Sequence, residues 1–247
     1  PVAELSAALE NNTLRLPSLP VVALKAIRVI DDDEVAVSTV NKMVMSDPAI
    51  ATKLIRAANS AVFYGRGEVH SCERAIKRLG LRSVRQLVVT FAMRELFDVA
   101  TGPLQKRMQK LWAHSTHTAA LAMILARKLR GFDPDEAQLA GLLHSIGVVP
   151  LLHYAAEHSQ FAEDTERLDR LCVELAPWFG ERMLLAWNFP VSIVTVARNM
   201  EQWWRDPGTD PELADLIIVA QYLTYIHSDR FGQLPPLIRL PAFTKTV

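Results

Sequence analysis

The sequence predicts an all-α protein built as two helical lobes. Two observations carry this. Apolar residues return every three or four positions in nearly every segment, and no stretch alternates convincingly with period two. The segments are also separated by Asp-Pro, Ser and Gly punctuation of the kind that starts and stops helices. There is no internal repeat and no low-complexity tract.

Residues 1–13 are weakly patterned. Leu16-Pro17-Ser18-Leu19-Pro20 is a rigid lead-in, because each proline fixes φ and turns its predecessor away from helix. Pro20 is placed to open a helix to about Ile30, with Leu24 and Ile27 on one face. The acidic run Asp31-Asp32-Asp33-Glu34 interrupts it. A short helix follows, with Ser38 as the expected N-cap and Val40, Met43 and Val44 as apolar positions.

Asp47 caps and Pro48 opens the next helix, where Ile50, Leu54, Ala57 and Ala61 form an amphipathic stripe up to Asn59-Ser60. A loop with Gly65 and Gly67 leads to Ser71. It starts a helix with Cys72, Ala75, Ile76 and Leu79 inward and Gly80 as its stop. Ser83 is expected to start another, with Val84, Leu87, Val88 and Phe91 inward. Thr101-Gly102-Pro103 breaks the pattern, and the lobe boundary is placed there.

The longest helix is expected over about Leu104–Leu129, with Leu104, Met108, Leu111, Ser115, Ala119, Ala122 and Leu129 inward and His114 at the edge of that face. Asp133-Pro134 starts the next, with Ala137, Ala140, Gly141 and His144 on one side. Further helical segments are expected near 149–158, 164–175 and 178–187, from Pro190 to about Trp204, and from Asp210-Pro211 through Thr224 and His227. The tail from Gly232, with Pro235, Pro236 and Pro241, is expected to be non-helical.

Half of the 247 residues are hydrophobic, which is ample for a core. Lys plus Arg and Asp plus Glu are both 27, so no global field draws the chain to nucleic acid or anionic lipid. Arg74, Lys77, Arg78, Arg82 and Arg85 form a local basic run, best read as a solvated helix face; it is the only candidate for nucleic-acid binding, which the composition disfavours. Cys72 and Cys172 show no CxxC spacing and no disulfide framework, which suits a reducing, cytoplasmic setting. No signal-peptide pattern is seen, and no apolar run is expected to reach the ~18 residues of a membrane span.

At Leu16-Pro17-Ser18-Leu19-Pro20, Asp47-Pro48-Ala49-Ile50-Ala51-Thr52-Lys53-Leu54, Ala58-Asn59-Ser60-Ala61 and Ala75-Ile76-Lys77-Arg78-Leu79-Gly80, the first lobe resembles the HDOD domain, an HD-related output domain of bacterial signalling proteins. Leu111-Trp112-Ala113-His114-Ser115, Ala140-Gly141-Leu142-Leu143-His144-Ser145-Ile146-Gly147 and Ala186-Trp187-Asn188-Phe189-Pro190 resemble its HD-derived half. The resemblance runs over about 14–230, with lobe one about 14–101, lobe two about 104–230 and a tail over 231–247.

The resemblance implies specific chemistry. An HD phosphohydrolase holds a divalent metal through a His, a His-Asp pair and a distant Asp. His114 matches the first ligand and His144 the second. Ser145 stands at the Asp of the pair, and Gln221 falls near the last Asp. A serine hydroxyl cannot replace a carboxylate on a hard cation. The Gly-Tyr-Pro segment of cyclic di-GMP phosphodiesterases is absent, and Asn199-Met200 stands where a further His pair would follow.

The expectation is therefore a non-catalytic regulatory module with no cofactor and no metal. It would act on a protein partner of a signalling pathway, or through a ligand in a relict pocket between the lobes lined by His114, His144, Ser145 and Gln221. The alternative is a divergent metal-dependent phosphohydrolase drawing carboxylates from Glu174, Glu181 or Asp215.

Plainer readings stand beside these. His114 and His144 serve equally as core histidines bonded to neighbours, and His114 with His117 could take an adventitious metal. His153 and His158 read as surface residues. A Cys-His hydrolase is disfavoured, because neither cysteine sits beside a base. Trp203-Trp204 is a candidate partner contact; one Trp in the core with its neighbour over a groove is as good an account. Asn59-Ser60 reads as a helix cap as readily as a ligand site.

Overall fold

A computed structural model of the chain describes residues 17–19, 21–29, 35–63, 67–97, 103–158, 164–226, 228, 230 and 231–246. Leu16, Pro20, the acidic run at 31–34, Gly65, Thr101-Gly102 and His227 lie outside the described residues, as does the side chain of Ile27. The described residues hold α-helices and short 3-10 turns and no strand. The chain divides into two compact units, one of Ser18–Leu96 and one that includes everything from Phe97 onward.

The first unit contains α1 (Val21–Val29), α2 (Val37–Met45), α3 (Pro48–Ala58), α4 (Cys72–Leu79) and α5 (Leu81–Leu96). Its helix starts are chemical. The Asp47 carboxylate accepts from the backbone N–H of Ala49 and Ile50 at 3.0 and 3.1 Å, and Pro48 follows at the first turn. Ser71 accepts from Arg74 N–H at 3.3 Å. Two starts differ from expectation. Ala36, not Ser38, precedes α2, without a side-chain cap. Helix α5 begins at Leu81, directly after Gly80, whose φ of 77° lets the chain turn within one residue. Ile50, Leu54, Ile76, Val84, Val88 and Met93 are buried in this unit's core.

The second unit contains α6 (Pro103–Lys128), α7 (Pro134–Leu143), α8 (Val148–Glu157), α9 (Thr165–Ala186), α10 (Val191–Arg198), α11 (Leu213–Thr224) and α12 (Pro241–Thr246). Helix α6 packs along α7 and α11, and α9 packs against α8 and α10. Asp133 caps α7 through Asp135 and Glu136 N–H at 2.7 and 2.9 Å. The Trp187-Asn188-Phe189-Pro190 element is a helix stop. Phe189 N–H reaches back to Leu184 O and Asn188 N–H to Leu185 O, both at 3.0 Å, and Asn188 takes φ 56°.

Several sequence expectations are corrected here. The break placed between 175 and 178 is absent: α9 runs through Pro177. Proline costs the N–H bond to the residue four back, Val173, which lies on the exposed face of the helix. Helix α10 ends at Arg198 rather than near Trp204, with Asn199 as its C-cap. The tail is partly helical. Helix α12 lays Ala242 and Phe243 against Ile218, Val219, Leu125, Trp203 and Leu223. Apolar contact there outweighs the proline-rich composition that argued against structure.

The segment Pro134–Glu157 is, against expectation, long and apolar enough to cross a membrane by length and composition. Its most apolar 18-residue window is 78% buried within the fold, and the segment is interrupted by the turn at 144–147, the pattern of a core element. That turn is pressed between helices. A Cβ on Gly141 would come within 2.7 Å of Ala119 Cα, and one on Gly147 within 1.9 Å of Ala176 O. Both glycines are needed for close backbone approach, and together they fix the position of His144.

Candidate functional site

His144 occupies the αR residue that ends α7, and His114 lies mid-way along α6. Their Nε2 atoms are 3.1 Å apart, with ring centroids 5.0 Å apart and edge to face. The residues that follow them meet as well: Ser115 Oγ and Ser145 Oγ are 2.8 Å apart, and both serines are buried. Two successive polar rungs therefore join α6 to the turn after α7.

The outer ring nitrogens are also engaged. The Gly141 carbonyl accepts from His144 Nδ1 at 2.7 Å. Thr224 Oγ1 lies 3.1 Å from His114 Nδ1 and donates to Gln221 O at 2.6 Å. Tyr225 stacks on His114 with centroids 5.0 Å apart, its hydroxyl 3.4 Å from His114 Nε2. That hydroxyl donates to Glu201 Oε1 at 3.0 Å and accepts from Arg230 Nη1 at 3.0 Å. Arg230 also holds both Glu201 oxygens, at 2.8 and 2.9 Å.

Burial sets the electrostatics. It pushes the His114 imidazole down to about 3, helped by the neighbouring His144, Arg230 and His117. It pushes His144 down to about 4, against the opposing pull of the Gly141 bond and of Glu201. Both rings are neutral at pH 7. Burial alone would raise the Glu201 carboxyl, but Arg230 and the Tyr225 hydroxyl hold it below the usual carboxylate range. Tyr225 is raised, first by burial and then by Glu201.

The expected pocket residues fall as follows. His114, His144 and Ser145 come together, and all lie within the second unit. Gln221 is buried on α11, its amide 3.5 Å from the Tyr225 hydroxyl. Thr224, Tyr225, Glu201, Arg230 and Ser115 complete the network and were not singled out from the sequence as site residues. The available signals were Ser115 following His114 as Ser145 follows His144, and the isolated acidic residue Glu201.

Among the described residues, this donor set offers a divalent metal two imidazoles and no free carboxylate. Ser145 is bonded to Ser115, Gln221 is a neutral amide, and Glu201 is taken by Arg230 and Tyr225. Among the described residues no group of three His, Cys, Asp or Glu side chains is placed to hold a metal. The substitute carboxylates sit elsewhere. Asp215 is buried at the start of α11, closing a capping box with Glu212 and held by Arg205 and Lys245. Glu181 pairs with Arg198 at 3.3 Å, and Glu174 is exposed. His117 is exposed, and His158 Nδ1 donates to Tyr154 O at 2.8 Å while its ring stacks on Tyr154.

The remaining candidates have structural roles. Arg78, from the basic run, clamps the glycine loop through Gly67 O at 2.7 Å and Ala58 O at 3.2 Å. Asn59 spans the same loop through both Val69 backbone groups, at 2.8 and 2.9 Å. Both cysteines are free thiols; burial raises Cys72 and pushes Cys172 up to about 12, against a nucleophilic role. Trp203 is half-buried against Tyr222 and the α11–α12 core, whereas Trp204 is 60% exposed.

The sequence matches the HDOD domain family over residues 16–203, most of the chain. This chain belongs to the HDOD family. The match stops short of α11, so Gln221, Thr224, Tyr225 and Arg230 come from beyond it.

A protein of Shewanella amazonensis SB2B, provisionally named a metal-dependent phosphohydrolase, superposes with a TM-score of 0.75 at 26% identity, over 94% of this chain and 85% of its own. An HDOD domain protein of unknown function from Geobacter sulfurreducens gives 0.68 at 22%, over 86% and 74%. A protein of Marinobacter aquaeolei VT8, provisionally named for signal transduction, gives 0.62 at 21%, over 86% and 49%. These last two likenesses show the fold alone. An uncharacterized protein of Treponema pallidum (strain Nichols) is 29% identical over 155 residues; the HDOD chain spans only 28% of that relative's length.

Proposed function

We propose that this HDOD chain is a regulatory module of a signalling pathway that has lost phosphohydrolase chemistry. The observation that carries the reading is the direct Nε2–Nε2 contact of His114 and His144 beside a serine pair and a neutral Gln221. Metal-dependent hydrolysis needs an ion that activates water and neutralises phosphate, and hard ions are held by carboxylate oxygen. The ring nitrogens and hydroxyls here satisfy one another instead.

The module then works by surface contact with a protein. A ladder of rings leads outward from the histidines: Tyr225 to Trp203 at 6.3 Å, Trp203 to Tyr222 at 6.0 Å, and Tyr222 to the exposed Phe231 at 6.2 Å. Aromatic side chains of this kind are favoured anchors in interfaces. The exposed Trp204 adds to the partner-facing surface. The free thiols suit a reducing compartment, and we assign the cytoplasm.

The second reading, a divergent phosphohydrolase, draws on the Shewanella protein's name. An assay of tag-free protein against phosphodiesters and nucleotides, with manganese or magnesium added, separates them. The regulatory reading expects no turnover above a metal blank. Turnover that disappears in a His114→Ala variant would establish the enzyme.

A further inference from the structure

We infer that a one-way hydrogen-bond relay, Thr224 to His114 to His144 to Gly141, cross-links α11, α6 and α7 in place of the bridge that a metal held by these two imidazoles would make. The inference rests on the reading that the site holds no metal.

Donor arithmetic gives the relay its direction. A carbonyl only accepts, so the 2.7 Å contact to Gly141 O places the His144 proton on Nδ1. A neutral imidazole with its proton on Nδ1 has an acceptor at Nε2. The atom facing that acceptor, His114 Nε2 at 3.1 Å, must therefore be the donor. His114 then accepts at Nδ1, where the Thr224 hydroxyl stands at 3.1 Å. That hydroxyl also reaches Gln221 O, so its single proton serves two acceptors of adjacent elements.

The opposite arrangement, with both rings protonated on Nδ1, would set two lone pairs against each other at 3.1 Å. Only a cation between them would relieve that. Among the described residues no free carboxylate is on hand to neutralise one, because Glu201 is bonded by Arg230 and by the Tyr225 hydroxyl. The depressed basicity of both buried rings agrees with a neutral relay. The Ser115–Ser145 contact, also neutral, runs beside it.

The test is nitrogen NMR on the intact, 15N-labelled chain at pH 7, with and without EDTA. The relay expects His144 as the Nδ1–H tautomer and His114 as the Nε2–H tautomer. It also expects a scalar coupling across the hydrogen bond between the two Nε2 atoms, unchanged by EDTA. In a Thr224→Val variant the coupling persists, because the His–His bond does not need the hydroxyl. Nδ1–H tautomers on both rings with no coupling, in metal-free protein, would overturn the relay and leave the regulatory reading standing. Resonances of both Nε2 atoms that move on EDTA treatment would reveal a bound ion and overturn both.

Discussion

The two ends of α11 solve the same problem in opposite ways. At its start, Asp215 is a fully buried carboxylate held by ions: Arg205 at 3.1 Å and Lys245 at 3.1 Å, the latter an ionic contact. Asp215 also accepts from Glu212 N–H at 2.9 Å. At its end, Thr224 and the neighbouring Tyr225 meet the neutral His114 imidazole, and Gln221 meets the Tyr225 hydroxyl, with charge kept back at the Glu201–Arg230 pair. This unit thus tolerates a buried carboxylate where protein cations neutralise it. The position where the HD resemblance calls for carboxylates has none, so the neutrality there belongs to the local side chains and not to a general aversion of the core to charge.

The largest expected effect concerns the turn that carries His144. Gly147→Ala would drive a Cβ to within 1.9 Å of the Ala176 carbonyl and 2.5 Å of Gly180 N. Backbone atoms cannot yield cheaply, so the cost should be at least about 3 kcal/mol. Thermal denaturation followed by circular dichroism should show a large loss of stability or no folded protein. A near-native melt would show that the turn is not clamped.

The charged end should come next. Asp215→Asn leaves Arg205 and Lys245 facing a neutral amide, with only the half-exposed Glu212 and Asp206 as remaining partners, at a cost of about 3 kcal/mol. Ser145→Ala at the neutral end removes one hydroxyl and strands Ser115, costing about 1–2 kcal/mol. Urea denaturation of both variants ranks them. A larger loss for Ser145→Ala would reverse the contrast between the two ends.

The pH dependence probes the neutral end separately, as a slope and not as the cost of one contact. His114 and His144 are depressed in the fold to about 3 and about 4, from an ordinary 6.5. The unfolded chain therefore takes up protons first. Their contribution is complete above pH 6.5 and is lost as pH falls toward 4 and then 3. The slope approaches about 1.4 kcal/mol per pH unit for each proton. A His144→Gln variant should flatten the midpoint-versus-pH curve between pH 6.5 and 4. An equally steep curve in the variant would place the titration elsewhere.

Much of the helical plan was legible because its punctuation is local. Asp47-Pro48, Ser71, Gly80 and Asp133-Pro134 act within one turn of chain, and each behaves in the fold as its chemistry dictates. Pro177 and the tail were misread because tertiary context decides them: a helix face left to solvent at Val173 in one case, an apolar contact with α11 in the other. In the site, His114, His144 and Ser145 were legible through the HD resemblance. Glu201, Thr224, Tyr225 and Arg230 were not, since they come from turns and a helix end distant in sequence and no spacing rule joins them.

Metal binding tests the central claim most directly. Tag-free protein would be dialysed against manganese, iron or zinc, then against buffer, and its metal content measured by mass spectrometry beside a Ser145→Asp/Gln221→Asp variant. The neutral site should retain only substoichiometric metal in the native chain, and the variant should retain more. One equivalent held by the native chain and removed by a chelator would contradict the account.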